Sequence, residues 1–185
     1  MKKLMKLALV AVLALSASTA FGQKFGRVDL AAIVPNMPEY KEALTNLEAY
    51  GMDLQNQLEQ IQVEFNTLLA NYEKNAATMS DSIRQLKEQE LSQLQQRFQD
   101  FQQVAQQDIQ KKQSELLAPI FEKVKNTINE VAKAGGYSVI LPGTALIYAD
   151  ETQVKDISKD VATKLGVDWD KVEAEAKAAA ATPAQ

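Results

Sequence analysis

From Leu44 the residues Leu47, Gly51, Leu54, Leu58, Ile61, Phe65, Leu68 and Tyr72 follow at alternating steps of three and four, sustained for four heptads. A repeat of 3.5 residues is the stripe of a helix that must lie against another helix. The pattern therefore commits the chain to a helix of about 35 residues, about 50 Å long, that cannot stay uncovered in water. Pro35 and Pro38 precede it, and Pro38, close ahead of Glu39 and Glu42, suits a first helical turn. One member of the stripe is out of place. Gly51 leaves a gap and costs about 1 kcal/mol relative to alanine within a helix, so it reads as a bending point or as a tolerated local weakness.

A second apolar set supplies the partner: Leu91, Leu94, Phe98, Phe101, Ala105, Ile109, Leu116, Ile120, Val124, Ile128 and Val131. Its mean step is longer than that of a heptad, nearer a straight helix than a tight supercoil. Large apolar residues thin out between Lys74 and Ser82, and Ser82 with Gln85 forms a capping-box pattern, which places a hairpin tip around Asn75 to Ser80. The competing reading is one unbroken helix, because Met79 and Leu86 continue the spacing from Tyr72; these residues alone leave both open. Pro119 is expected to kink the second helix into an outer and an inner limb. Gly135 and Gly136 then end it.

The flanking segments read as short strands and turns. Phe25, Val28 and Leu30 make a strand over 24–30, and Asp29 is placed to cap a helical turn through Val34. Tyr137–Leu141 and Ala145–Ala149, joined by Pro142-Gly143-Thr144, carry a β-hairpin signal. Asp156 or Ser158 can cap a helix with Ile157, Val161 and Leu165 that ends at Gly166. Beyond Trp169 the alanine-rich tail lacks apolar periodicity and is expected to be frayed or solvent-exposed.

Residues 1–22 carry Lys2, Lys3 and Lys6, an apolar run from Leu7 to Leu15, and small residues ending Ala20-Phe21-Gly22. This reads as a secretory signal peptide cleaved before Gln23, with cleavage after Ala20 as the second choice. The run is too short to span a bilayer. Removing the leader leaves 17 basic against 24 acidic side chains, so the exported chain is acidic and shows no basic stripe for nucleic acid or an anionic membrane. Cysteine and histidine are absent throughout, which excludes disulfides, thiol catalysis, a Ser-His-Asp triad and an ordinary zinc site. No cofactor, metal or catalytic residue is expected. An enzyme with Asp29, Asp150, Asp156 and Asp160 as a carboxylate site is the third option, but capping or solvation accounts for these acids.

Three short strands cannot close a barrel or cover both faces of a run such as Val139-Ile140-Leu141. The chain is therefore expected to assemble, with strands and inner helices sharing a core among copies; a monomer whose arm folds back on the sheet is the alternative.

The order of these segments resembles the Skp or OmpH-like family of periplasmic chaperones, over about residues 24–166. It is carried by Val28-Asp29-Leu30, Leu117-Ala118-Pro119-Ile120, Gly136-Tyr137 with Val139-Ile140-Leu141, Tyr148-Ala149-Asp150, and Asp156-Ile157-Ser158 with Val161 and Leu165. The resemblance implies an α+β fold: a small β-sheet body that forms a trimeric β-barrel core, and a long antiparallel α-helical coiled-coil hairpin, the tentacle. It also implies the hairpin over the single rod. Residues 24–38 and 119–166 would form the discontinuous trimerisation body, 39–118 the tentacle, and 167–185 a tail. The implied role is that of an ATP-independent holdase in the periplasm, a homotrimer that keeps unfolded outer-membrane proteins soluble without inserting in a membrane or binding nucleic acid. Some members carry strongly basic tentacles, whereas residues 41–120 here hold 7 basic against 12 acidic side chains. Contact with lipopolysaccharide or anionic membrane is therefore not carried over.

Off the stripe, Tyr50, Met52, Val63, Leu69 and Met79 are the client-binding candidates, since Met and Tyr suit promiscuous apolar contact. The plainer reading has them broadening the helix–helix interface. Val28, Val139, Ile140, Leu141 and Ile147 are the candidates for the trimer core. The 16 glutamines of residues 54–113 read as a solvated helix face built from good helix formers, the other reading being amides that hydrogen-bond client backbone. A structural coiled-coil spacer or tether of the cell envelope is the alternative function.

Overall fold

A computed structural model describes residues 23–181; the expected leader and the last four residues lie outside that range. The described residues divide between two compact units. Among them, one unit is drawn from residues 23–34 and 125–181, and the other is Pro35–Val124.

Two long helices make up the second unit: α2 (Pro38–Asn75) and the greater part of α3 (Asp81–Gly135). Pro38 stands in the first turn of α2, where its missing N–H costs nothing. Between the helices lies a 3₁₀ turn at Ala76–Thr78, so the chain reverses where the hydrophobic spacing thins. Ser80 makes the restart: its side chain accepts the Ile83 N–H at 3.4 Å, in place of the expected cap at Ser82. Side-chain contacts then match residues at equal distances from the turn. The Tyr72 hydroxyl donates to Glu88 at 2.5 Å, Arg97 pairs with Glu64 at 3.5 Å, and Lys123 pairs with Glu39. The single-rod reading is thereby removed.

Burial along α2 follows the heptad stripe. Leu47, Gly51, Leu58, Phe65, Leu68 and Tyr72 are half-buried, and Leu54 and Ile61 are buried. At the start of the stripe Ala43, not Leu44, is the covered residue; Leu44 is 43% exposed. On α3 the covered positions facing this stretch are Leu91, Leu94, Phe98, Phe101, Ala105, Asp108 and Lys112. The spacing is again 3.5, so α3 matches α2 by admitting two charged residues to the seam. Ile109, which the longer repeat assigned to the interior, is 36% exposed instead. Pro119 lies inside α3, which is helical on both sides of it without a break between the expected limbs.

The other unit is built on a three-stranded sheet of β1 (Phe25–Val28), β2 (Val139–Pro142) and β3 (Val154–Asp156), in the order β2-β1-β3. Both neighbours run parallel to β1, with Phe25 level with Val139 and Val154. The sheet is open and parallel, which corrects the expected hairpin of Tyr137–Leu141 with Ala145–Ala149. A 3₁₀ turn at Gly143–Ala145 carries the chain away from β2, and the third strand comes from Val154–Asp156. Hydrophobic β-branched composition marks a segment as extended, but it does not say which edge will receive it.

Helical pieces close one side. Asp29 caps α1 (Leu30–Ile33), its carboxylate accepting the Ala32 N–H at 3.0 Å, and the Asp29 N–H donates to the buried Ser158 hydroxyl at 2.8 Å. The helix α4 (Ser158–Lys164) follows β3 and ends at Gly166, whose φ of 76° lets the Val167 N–H reach the Ala162 carbonyl at 2.9 Å. Gly136, at φ 67°, ends α3 in the same way, with the Tyr137 N–H on the Ala132 carbonyl. Lys24 completes that terminus. Its ammonium donates to the Gly135 carbonyl at 2.9 Å and lies 4.2 Å from the Tyr137 ring centre, where the helix dipole favours a cation. Ile33, Ile157, Val161 and Leu165, each at most 2% exposed, form the core of this unit with Val28. The tail is corrected in part: α5 (Trp169–Ala181) is a helix with Val172 buried, while residues 173–178 are exposed as expected. Alanine, glutamate and lysine form helix by intrinsic propensity, so the lack of apolar periodicity did not prevent it.

Candidate functional site

The arm of α2 and α3 spends its stripe residues on itself, so what remains for a ligand is the apolar surface the pairing leaves outside. Met52 is 56% and Val63 57% exposed. They are eleven residues apart on α2, three turns, and share one face. Tyr50 and Leu69 do not join them. Both are half-buried at the flank of the seam, and Tyr50 lies 5.7 Å beneath the Lys112 ammonium. Met79, half-buried, follows the 3₁₀ turn. The five candidates are thus two surface residues, two seam-flanking residues and one at the tip.

The more coherent surface is on α3, and sequence reasoning missed it. Ile83, Leu86 and Val104 are 49%, 52% and 50% exposed. Leu86 and Val104 are eighteen residues apart, five full turns, and so stand in line; Ile83 and Phe101 make a second line beside them. Phe101 and Val104 border an open recess with Gln93, Gln96, Arg97 and Asp100. Phe121 is also 52% exposed. The available signal was that Ile83 and Val104 fit neither stripe.

In the sheet unit the trimer-core candidates divide by face. Val28 is only 2% exposed and packs inside its own chain. Ile140 lies on the same side, for a Cβ placed on Gly26 would come within 2.7 Å of its Cδ1 and 3.2 Å of the Tyr137 ring. The other face carries half-buried Phe25, Leu141 and Val154 with Val139, which is 42% exposed. Arg27 and Asp156 cross it as an ion pair at 3.1 Å. Ile147 and Tyr148, just beyond, are 106% and 83% exposed.

Charged groups behave as structural elements. The Lys123 hydrogen bond holds the Glu39 carboxyl below its ordinary range. Glu88, accepting the Tyr72 phenol, pushes that group upward. Asp150 is lowered by the Thr152 hydroxyl and N–H, which it accepts in a tight turn. Asp156 accepts the Ser158 N–H at 2.8 Å as well as pairing with Arg27. Asp29 caps α1 and Asp160 lies in the first turn of α4. These four carboxylates therefore have separate local tasks. Among the described residues no group of acids could hold a metal ion, and no helix is long and apolar enough to cross a membrane.

The described residues thus comprise a long helical hairpin with apolar side chains outside its seam, and a small three-stranded sheet unit. The sequence profile of the family described as outer membrane protein (OmpH-like) matches residues 24–165, and the chain belongs to that family. Its curated relatives include the chaperone protein Skp of Yersinia enterocolitica, 27% identical over 150 residues that cover 80% of this chain and 90% of the relative. The chaperone protein Skp of Pectobacterium atrosepticum is 26% identical, covering 81% and 90%. The crystal structure of an OmpH-like protein from Caulobacter crescentus CB15 shares the fold, with a TM-score of 0.69 over 77% of this chain and 83% of that one at 15% identity. The family is one of chaperones, not of enzymes.

Proposed function

We propose that the protein is an ATP-independent holdase of the periplasm, reached through a cleaved signal peptide, which keeps unfolded outer-membrane proteins from aggregating. It works as a homotrimer whose strands join in a common barrel and whose antiparallel hairpins, about residues 39–118, hold the client. The observation that carries this reading is the apolar surface of a chaperone-family arm: Met52, Val63, Ile83, Leu86 and Val104 each leave about half their area in water. Apolar area of that kind attracts any exposed hydrophobic segment without regard to its sequence. Each contact is weak, so release needs no fuel, and a client that inserts in its membrane leaves the binding equilibrium. Assembly is supported by the open sheet face and by Ile147 and Tyr148, whose exposure calls for a partner.

Light scattering from a denatured outer-membrane barrel diluted into buffer tests the proposal. Suppressed aggregation at stoichiometric protein, without nucleotide, is the expected result, and an unaltered trace at excess protein would remove it. A variant with residues 41–118 replaced by a short turn should stay soluble and oligomeric yet fail to protect. Full protection by that variant would place the client elsewhere.

A further inference from the structure

The family match ends at Leu165, and the chain continues into a helix that the match does not include. That helix is not uniformly placed. Its first turn is anchored: the Asp168 carboxylate accepts the Lys171 N–H at 3.2 Å as an N-cap, and Asp170 pairs with Lys159 of α4 at 2.7 Å. Val167 and Val172 are 5% and 8% exposed, while residues 173–177 all lie open to water. Those later turns hold their shape through ion pairs on their own helix, Lys177 with Glu173 at 2.9 Å and Lys171 with Glu175 at 3.9 Å, together with alanine. Burial of Val172 therefore comes from outside α5, and the elements that pack there are α4 and α1.

Those two partners need cover. They contain seven and four residues, far below the length at which a helix persists alone, yet they carry Ile33, Val161 and Ala162 at zero exposure. We infer that α5 is a clasp: its first turn, seated through Val167 and Val172, seals the α1–α4 side of the sheet unit and prevents other copies from adhering there. The opposite, open sheet face is then the apolar surface left for ordered assembly. The clasp rests on the docking of one turn and holds whether or not copies join through that face.

Three full-length variants and a truncation test this. Val172→Asp places a charge in the seat, Val172→Ala thins it, and Ala176→Asp puts the same charge one turn further along the same face, where α5 is open to water. Truncation after Gly166 removes the clasp. Losing the cover of one buried valine should speed hydrogen exchange of the α1 and α4 amides roughly tenfold in Val172→Asp. Val172→Ala should show a smaller increase and Ala176→Asp none. In sedimentation, Val172→Asp and the truncated chain should gain species larger than the wild-type assembly. The inference fails if Val172→Asp and Val172→Ala exchange at the wild-type rate in α1 and α4, or if Ala176→Asp matches Val172→Asp. Sedimentation at wild-type size for both Val172→Asp and the truncated chain would also overturn the shielding role. Client protection is not the readout, so failure here is distinct from failure of the holdase reading.

Discussion

Gly51→Ala separates backbone from packing in the arm. Gly51 sits at a seam position of α2 between half-buried Leu47 and buried Leu54, and a Cβ placed on it would meet nothing within 4 Å. The facing stretch of α3 explains the opening, since its covered positions there are Asp108 and Lys112, with Lys112 turned over the Tyr50 ring. An alanine would neither clash nor fill a hole, so the whole effect is the conformational freedom glycine loses on entering a helix, about 1 kcal/mol. That corresponds to roughly fivefold slower opening-limited exchange of amides in 47–58, read by hydrogen–deuterium exchange with the turn and the sheet unit as internal references. Protection should rise around Gly51 and stay constant in β1 and α4. A loss of protection, or none gained, would mean that α2 is strained at this point and that the open layer is not a plain packing defect. The same variant bears on mechanism. If clients are admitted by bending at this layer, the stiffer arm should protect large clients less well although it is the more stable arm.

Other consequences can be checked with single preparations. Gly26→Ala would bring a methyl group to 2.7 Å from Ile140 Cδ1 and 3.2 Å from the Tyr137 ring, and should lower the stability of the sheet unit by about 1–3 kcal/mol in urea unfolding; an unchanged midpoint would show that the ring moves freely. The depressed Glu39 carboxyl adds stability that is present above its ordinary value of 4.5 and lost as pH falls through the lower folded value. Because Glu39 and Lys123 are nearly half exposed, that gain is about 0.5 kcal/mol, and wild type should exceed Glu39→Gln by this much at pH 7 but not at pH 2. Replacing Ile83, Leu86 and Val104 together by serine should leave the melting temperature nearly unchanged, since exposed sites each cost under about 0.5 kcal/mol, while weakening protection in the scattering assay; full protection would move the client surface off α3. Under the proposed assembly, Ile147→Asp should lower the sedimenting mass without unfolding the subunit, and an unaltered mass would exclude this segment from the interface.

Where local physics suffices, the chain was readable in advance. The α2 stripe, the Pro38 start, the Asp29 cap and the glycine ends at Gly136 and Gly166 each depend on residues a few positions apart, whereas the reversal after Asn75 was left open by its own residues. What escaped depends on partners distant in sequence. Asp108 and Lys112 lie in the seam because α2 dictates a 3.5-residue register there, and no count of apolar residues on α3 alone would choose them over Ile109. The third strand was misplaced for the same reason: Leu146-Ile147-Tyr148 has the composition of a strand, but β1 receives Val154–Asp156, whose Asp156 meets Arg27. In α5 one valine decides between a frayed tail and a docked helix, and one valine is no pattern. On the surface of the arm the exposure of Met52 and Val63 was legible because they broke the stripe of α2. Ile83 and Val104 broke that of α3 equally, but its looser repeat concealed the departure.

The division of apolar side chains between seam and surface also sets how tightly such an arm can hold anything. Burying one side chain the size of leucine or valine yields at most about 1.5–3 kcal/mol. Even a millimolar complex requires about 4 kcal/mol net of the costs of association, so no single exposed residue retains a client. Several must act together, and their spacing then matters. Leu86 and Val104, eighteen residues apart in line on α3, are separated by about 27 Å along the helix. An extended chain covers that distance in about eight residues. This is close to the nine to eleven residues of a strand that crosses an outer membrane, in which apolar and polar side chains alternate. One unfolded strand laid along the arm could touch both sites at once with its apolar face, whereas a collapsed or helical segment of equal length could not. In the proposed holdase, spaced weak contacts of this kind would favour the extended state that precedes strand pairing, and would be lost one at a time as the strand finds its neighbours.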